Sequence, residues 1–166
     1  MAIIKPNNNT LSAITALPTG WGGKVLQVVT NDHSTRFVTS STSYVAATGY
    51  DIVITPSATS SKIFLISSGQ GDNEGSGRIM YGTFYRTISG GSATQIGGDV
   101  EGIAQVYEAD GRVQAPMTLS MLDSPSTTSA ITYQIYIRTQ TGGSGGQVSY
   151  NNNEGSAKFT AFEIAG

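Results

Sequence analysis

At 166 residues the chain is long enough to bury a sizeable core and is read as a single β domain behind a short leader. Charged residues make up 12%, about half the usual share of roughly 25%, and the formal net charge is −2. The nine Lys and Arg are scattered singly, which excludes the clustered cations of a nucleic-acid surface, and the absence of cysteine excludes disulfide staples, a thiol nucleophile and cysteine-ligated zinc.

Residues 1–22 stand apart from the rest of the chain. Leu11, Ile14 and Leu17 recur at three-residue spacing after Pro6-Asn7-Asn8-Asn9, and Pro18 and Gly20 end the pattern, so one helical or 3₁₀ turn is expected there. Its apolar side is too small to be a core. Ile3, Ile4, Leu11, Ile14, Leu17 and Trp21 would each cost roughly 1.5 to 3 kcal/mol to leave in water, so the segment is expected to be an attachment arm that docks on a partner. Met1 to Gly20 lacks the charged start and continuous apolar run of a signal peptide, and no stretch is apolar for long enough to span a bilayer. Synthesis and assembly in a cytoplasm are therefore expected, without membrane insertion.

Residues 23–166 read as strands separated by turn formers. Lys24 to Thr30 is the first candidate, followed by a turn at Asn31-Asp32-His33-Ser34, and Arg36 to Thr39 continues the pairing. Tyr50 to Thr55 and Lys62 to Ser67 flank the polar connector Pro56 to Ser61 and form a β-arch or hairpin. Ile63 and Leu65 oppose Phe64 and Ile66 across one strand, so both of its faces are apolar and one of them is expected to meet a neighbouring subunit. Gly69 to Gly77 reads as a polar loop. Arg78 to Ile88 is the next strand, Val100 to Tyr107 a short one, and Asp110-Gly111 a hairpin turn leading into Val113 to Leu122. Ala130 to Thr139 alternates cleanly, Gly142 to Gly146 is a glycine-rich tip, and Lys158 to Ile164 ends the series. Eight to ten such strands predict an all-β antiparallel sandwich or jelly roll.

Fragments that resemble active-site motifs fail on context. The glycine run after Phe64 to Ser68 lacks a following helix, and Asp72 and Glu74 would repel a phosphate. His33 is the sole histidine, is read as an exposed turn residue, and no serine lies in a G-x-S-x-G elbow. No acid pair suits glycoside hydrolysis, with Asp51 and Glu163 read as strand ends or outer faces. Asp72-Asn73-Glu74 and Asn151 to Glu154 are oxygen-rich, but neither has EF-hand spacing, so no metal and no cofactor are assigned. Tyr81, Tyr85, Tyr107, Tyr133 and Tyr136 lie in predicted strands, where packing or a subunit interface outweighs a sugar platform. No catalytic residue is expected.

Several segments together resemble a family of tailed-bacteriophage virion proteins common in marine and cyanobacterial phages. They are Gly23 to Val29, Ser41 to Val45, Ile54 to Ile63, Leu122 to Pro125 with Ile131 to Tyr133, and Phe159 to Gly166. The resemblance covers residues 23–166 and implies a jelly roll related to tumour-necrosis-factor and complement heads, assembled as a homotrimer on fibres or capsids. It suggests a capsid decoration or cement protein or short head fibre, with a tail-fibre or tail-associated receptor-binding protein as the alternative. Expected partners are further copies of the chain, major capsid or tail proteins, and, on the adhesion alternative, a host surface glycan. Tyr81, Tyr85, Tyr133, Ile135, Phe159 and Phe162 are the candidate trimer-interface residues.

Overall fold

A computed structural model of the chain describes residues 24–141, 146–151 and 155–166. The expected attachment arm, with Ile3, Ile4, Leu11, Ile14, Leu17 and Trp21, lies outside the described residues. The strands are β1 (Val25–His33), β2 (Phe37–Thr39), β3 (Val45–Ile54), β4 (Lys62–Asn73), β5 (Arg78–Ile88), β6 (Thr94–Gln95), β7 (Ala104–Glu108), β8 (Val113–Asp123), β9 (Ile131–Thr139), β10 (Val148–Tyr150) and β11 (Ala157–Ile164). No helix among the described residues is long and apolar enough to cross a membrane.

The strands form two antiparallel sheets packed as a jelly-roll-like sandwich. In the front sheet the long strand β4 is the spine. One of its edges pairs with β11 along Lys62–Ser68 and with β10 along Gly71–Asn73, while the other pairs with β8 along Ile63–Asn73. Strand β1 lies outside β11 and β2 outside β10. The back sheet runs β3, β9, β5, with β6 and β7 sharing the far edge of β5.

Alternation places one set of side chains between the sheets. Ile63 and Leu65 of β4, Met117 and Leu119 of β8, Phe159 and Ala161 of β11, Phe84 of β5, and Tyr133, Ile135 and Ile137 of β9 are all buried. Phe84 and Phe159 stack across the gap with ring centroids 5.2 Å apart, joining the two sheets. Each such side chain contributes about 1.5 to 3 kcal/mol of apolar burial.

Of the two forms expected for the apolar runs either side of Pro56, the structure has the arch, since β3 belongs to the back sheet and β4 to the front one. Three other local expectations change. Asp110-Gly111 is likewise an arch, because β7 pairs with β5 and β8 with β4. The connections 74–77, from β4 to β5, and 109–112, from β7 to β8, thus both cross between the sheets. The predicted loop at Gly69 becomes strand as far as Asn73, where small residues let Tyr150 and Val106 close on the backbone. Strand β1 runs through the predicted turn to His33.

Candidate assembly surface

The buried polar groups are committed to holding strands together. Glu163, 1% exposed near the end of β11, accepts from the Ser57 amide and hydroxyl at 2.7 and 2.6 Å, from the Ser61 hydroxyl at 2.7 Å, and from Gln27 Nε2 at 2.7 Å. Burial alone would raise its pKa, but the Ser57 and Ser61 hydroxyls, the Ser57 amide and the Gln27 amide outweigh it and hold the group at about 2. Asp123 accepts from Arg86 Nη1 at 2.9 Å and from the Tyr133 hydroxyl at 2.7 Å, linking the two sheets. Burial and then the Asp123 carboxylate push the Tyr133 hydroxyl pKa upward. Asp72, buried in β4, receives a two-point contact from Arg112 at 3.0 and 2.6 Å. Each of these carboxylates has its lone pairs engaged by neighbours within the fold.

The single histidine serves packing as well. His33 is partly buried and meets Tyr50 edge-on at 4.7 Å, and its ring covers Gly49, whose φ is +85°. It is therefore packed at the end of β1 rather than exposed in a turn. Asn31, two residues earlier, donates to the Gly49 and Asp51 carbonyls at 2.8 and 2.9 Å, and Gln27 donates to Thr55 O at 2.7 Å. The Asn31 amide thus caps two carbonyls of the edge strand β3 and the Gln27 amide caps the carbonyl just past its end, which blunts this edge as a template for strand addition.

The two outer faces differ in chemistry. On the back sheet, the Arg138 guanidinium lies 4.3 Å from the Tyr81 ring centroid and 5.3 Å from that of Tyr44. Its Nε donates to Val100 O at 3.1 Å, which ties the 96–103 segment over that face. Tyr85 and Tyr136 stack beside it at 3.8 Å. The front sheet instead carries a row of apolar side chains in direct register across four strands: Val28 on β1, Phe162 on β11, Phe64 on β4 and Leu122 on β8. Val28 and Leu122 are 53% and 50% exposed, Phe64 and Phe162 half-buried. The next row is Thr30, Thr160, Ile66 and Ser120, so two successive rows carry no charge. Asp32 and Lys158 pair at 2.7 Å in the row beyond.

The structure separates the interface residues expected from sequence. Tyr133, Ile135 and Phe159 lie in the core and Tyr81 lies under Arg138, each at most 3% exposed, so none has side-chain surface to offer a neighbouring subunit. Tyr85 and Phe162 stand on outer faces, but on opposite sheets. Val28 and Leu122, absent from that set, join Phe162 only through strand register. Both oxygen-rich segments are occupied where described: Asp72 by Arg112, the Asn73 amide by Arg78 O, and the Asn151 amide by His33 O, while residues 152–154 lie outside the described residues. No group of three or more metal-ligating side chains occurs among the described residues.

No protein-family profile matches the chain, and no curated protein matches it. Among solved structures it is similar to one of infectious bursal disease virus, Gx strain, with a TM-score of 0.50 and 16% identity over 86% of this chain and 33% of that one. The Gt-strain structure has a TM-score of 0.47 and 16% identity, covering 100% of this chain and 43% of the other. A crystal structure of the VP2 subviral particle of the same virus has a TM-score of 0.42 and 15% identity, covering 84% and 37%. The chain thus spans between 33% and 43% of the length of these three chains. At such identities the likeness is one of fold, and it carries nothing specific to tailed phages.

Proposed function

We propose that this chain is a non-enzymatic structural protein of a virus particle, a trimeric jelly roll attached to the capsid as a decoration protein or short head fibre. The observation that carries the proposal is the uncharged apolar row Val28, Phe162, Phe64 and Leu122, with Val28 and Leu122 exposed and the two phenylalanines half-buried, on the outer face of a sandwich whose fold is shared with a virus structure. Such a row costs free energy in water and is offset when another surface covers it, as in an assembly subunit. The internal use of Glu163, Asp72 and Asp123 supports the same reading, because an acid held by structural hydrogen bonds is poorly placed to exchange a proton with substrate.

Tail-associated adhesion is the second reading. The partly buried Tyr85 and Tyr136 pair, with Gln95 accepting from the Tyr85 hydroxyl at 3.3 Å, supplies rings and an amide of the kind that bind sugars. Gold-labelled antibody against the chain, imaged on purified virus particles, separates the readings. Label spread over the head supports capsid attachment, label confined to the tail supports adhesion, and particles without label refute both.

A further inference from the structure

The outer face of the back sheet also carries a row in direct register, polar where the front row is apolar. Asp51 on β3 pairs with Gln134 on β9, and Gln134 pairs with Tyr85 on β5. Tyr136, two residues beyond Gln134 and so on the same face, stacks on Tyr85 with ring centroids 3.8 Å apart. Beside this row β3 bulges, residues 47–50 standing opposite the one residue Ile135. Gln134 Nε2 donates to Ala47 O in the bulge at 3.3 Å, which commits the nitrogen of that amide and leaves its Oε1 over. Among the described residues the Asp51 carboxylate, Gln134 Oε1 and the Tyr136 hydroxyl have no hydrogen-bond or ion-pair partner, in contrast to Glu163, Asp72 and Asp123.

We infer that this part of the back sheet binds a neutral sugar, with Asp51 and Gln134 accepting its hydroxyls and the Tyr136 ring lying against its C–H face. The inference rests on the sugar-binding reading given for Tyr85 and Tyr136. It adds that the ligand sits on the β3 side of the stack and carries no charge, and it does not depend on where the subunit sits in the particle. Three features select such a ligand. The free groups are acceptors with one phenolic hydroxyl among them, so the ligand must be rich in O–H donors. Charge is the second feature. Arg138, the cation two residues beyond Tyr136, is 8% exposed and committed to the Val100 and Thr42 carbonyls at 3.1 and 3.5 Å, so an acidic sugar would meet Asp51 without an accessible counter-charge. Shape is the third. Neighbouring strands lie about 4.8 Å apart and alternate residues of one strand about 6.6 Å, so Asp51, Gln134 and Tyr136 frame an area suited to one sugar ring. The face of Tyr136 turned away from Tyr85 lies toward β3, where its register partner is only the methyl group of Ala46.

The test is saturation-transfer NMR on the full-length protein with the methyl glycosides of glucose, galactose and mannose and with N-acetylneuraminic acid. It is repeated for Asp51→Asn and Tyr136→Leu, with near-UV circular dichroism checking the fold. Transfer is expected to at least one neutral hexoside and not to the acid, and each variant is expected to weaken that hexoside about tenfold, read from the concentration giving half-maximal transfer. No transfer to any of the three hexosides would overturn the inference, as would binding of the acid equal to theirs. Full binding by both folded variants would place the sugar elsewhere and overturn it as well. Should Tyr136→Leu fail to fold, Asp51→Asn, a near-isosteric change on an outer face, decides alone. Hexoside binding by a chain labelled only on the head would remove tail adhesion and leave this site standing, whereas tail label without hexoside binding would keep adhesion and remove this site.

Discussion

The Ser57 hydroxyl donates to Glu163 Oε1 at 2.6 Å, fastening the arch between the two sheets to the last strand of the front one. Because the same carboxylate also gathers Ser61 and Gln27, its replacement should loosen β1, β11 and the 55–61 connector together. Glu163→Gln is expected to lower unfolding free energy by about 1 to 3 kcal/mol at neutral pH. The folded pKa of about 2 lies below the ordinary 4.5, so this contribution is complete above pH 4.5 and is lost as pH falls toward 2. Urea titrations of both proteins at several pH values should show the gap closing over that window, and a gap independent of pH would contradict the account.

Gly49 and His33 form a second interlocked pair. A side chain at Gly49 would both run into the His33 ring and occupy φ +85°, so Gly49→Ala should destabilise by about 1 to 3 kcal/mol. Combining it with His33→Ala should recover only part of the loss, since the backbone strain remains. Full recovery would mean that the clash alone mattered.

Asp123 holds Arg86 and the Tyr133 hydroxyl on the opposite sheet. Asp123→Ala leaves a largely buried guanidinium without its carboxylate and is expected to cost about 3 kcal/mol. Arg86→Met with Asp123→Leu should cost less than Asp123→Ala. Chemical denaturation measures both, and the reverse order would show that the pair contributes more than its removal exposes.

Residues 1–22 are proposed to attach the sandwich to a virion partner through Ile3, Ile4, Leu11, Ile14, Leu17 and Trp21. Deleting residues 1–20 should leave the melting temperature and oligomer mass of the isolated protein nearly unchanged and abolish binding to particles that lack their own copy. Binding equal to that of the full-length chain would move the attachment surface onto the sandwich.

Long strands with regular alternation were legible in sequence: Arg78 to Ile88 matches β5 residue for residue, and the alternation of Ala130 to Thr139 puts Ile131, Tyr133, Ile135 and Ile137 inside. Elements set by distant partners were not. The three residues of β10 are a strand because β4 and β2 flank them, and the two of β6 because β5 does. The turn at Asp110-Gly111 states that the chain reverses, but sheet assignment depends on β4 and β5 lying beside it. The same limit governed the surface. Apolar Phe64 and Ile66 opposite Ile63 and Leu65 announced a two-sided strand, yet Phe162, Val28 and Leu122 align with Phe64 only through register with other strands. Tyrosines and strand-centre residues drew the interface assignment inward to Tyr133, Ile135 and Phe159, where the sandwich buries them itself.

Sedimentation of the full-length protein at micromolar concentration, beside the Phe64→Ser/Phe162→Ser variant, tests the self-assembling subunit most directly. The wild type is expected at three times the 17.3 kDa of one chain, and the variant, with near-UV circular dichroism retained, at the mass of one. A wild-type protein that sediments as a single chain, or a folded variant that keeps the full mass, would contradict the account.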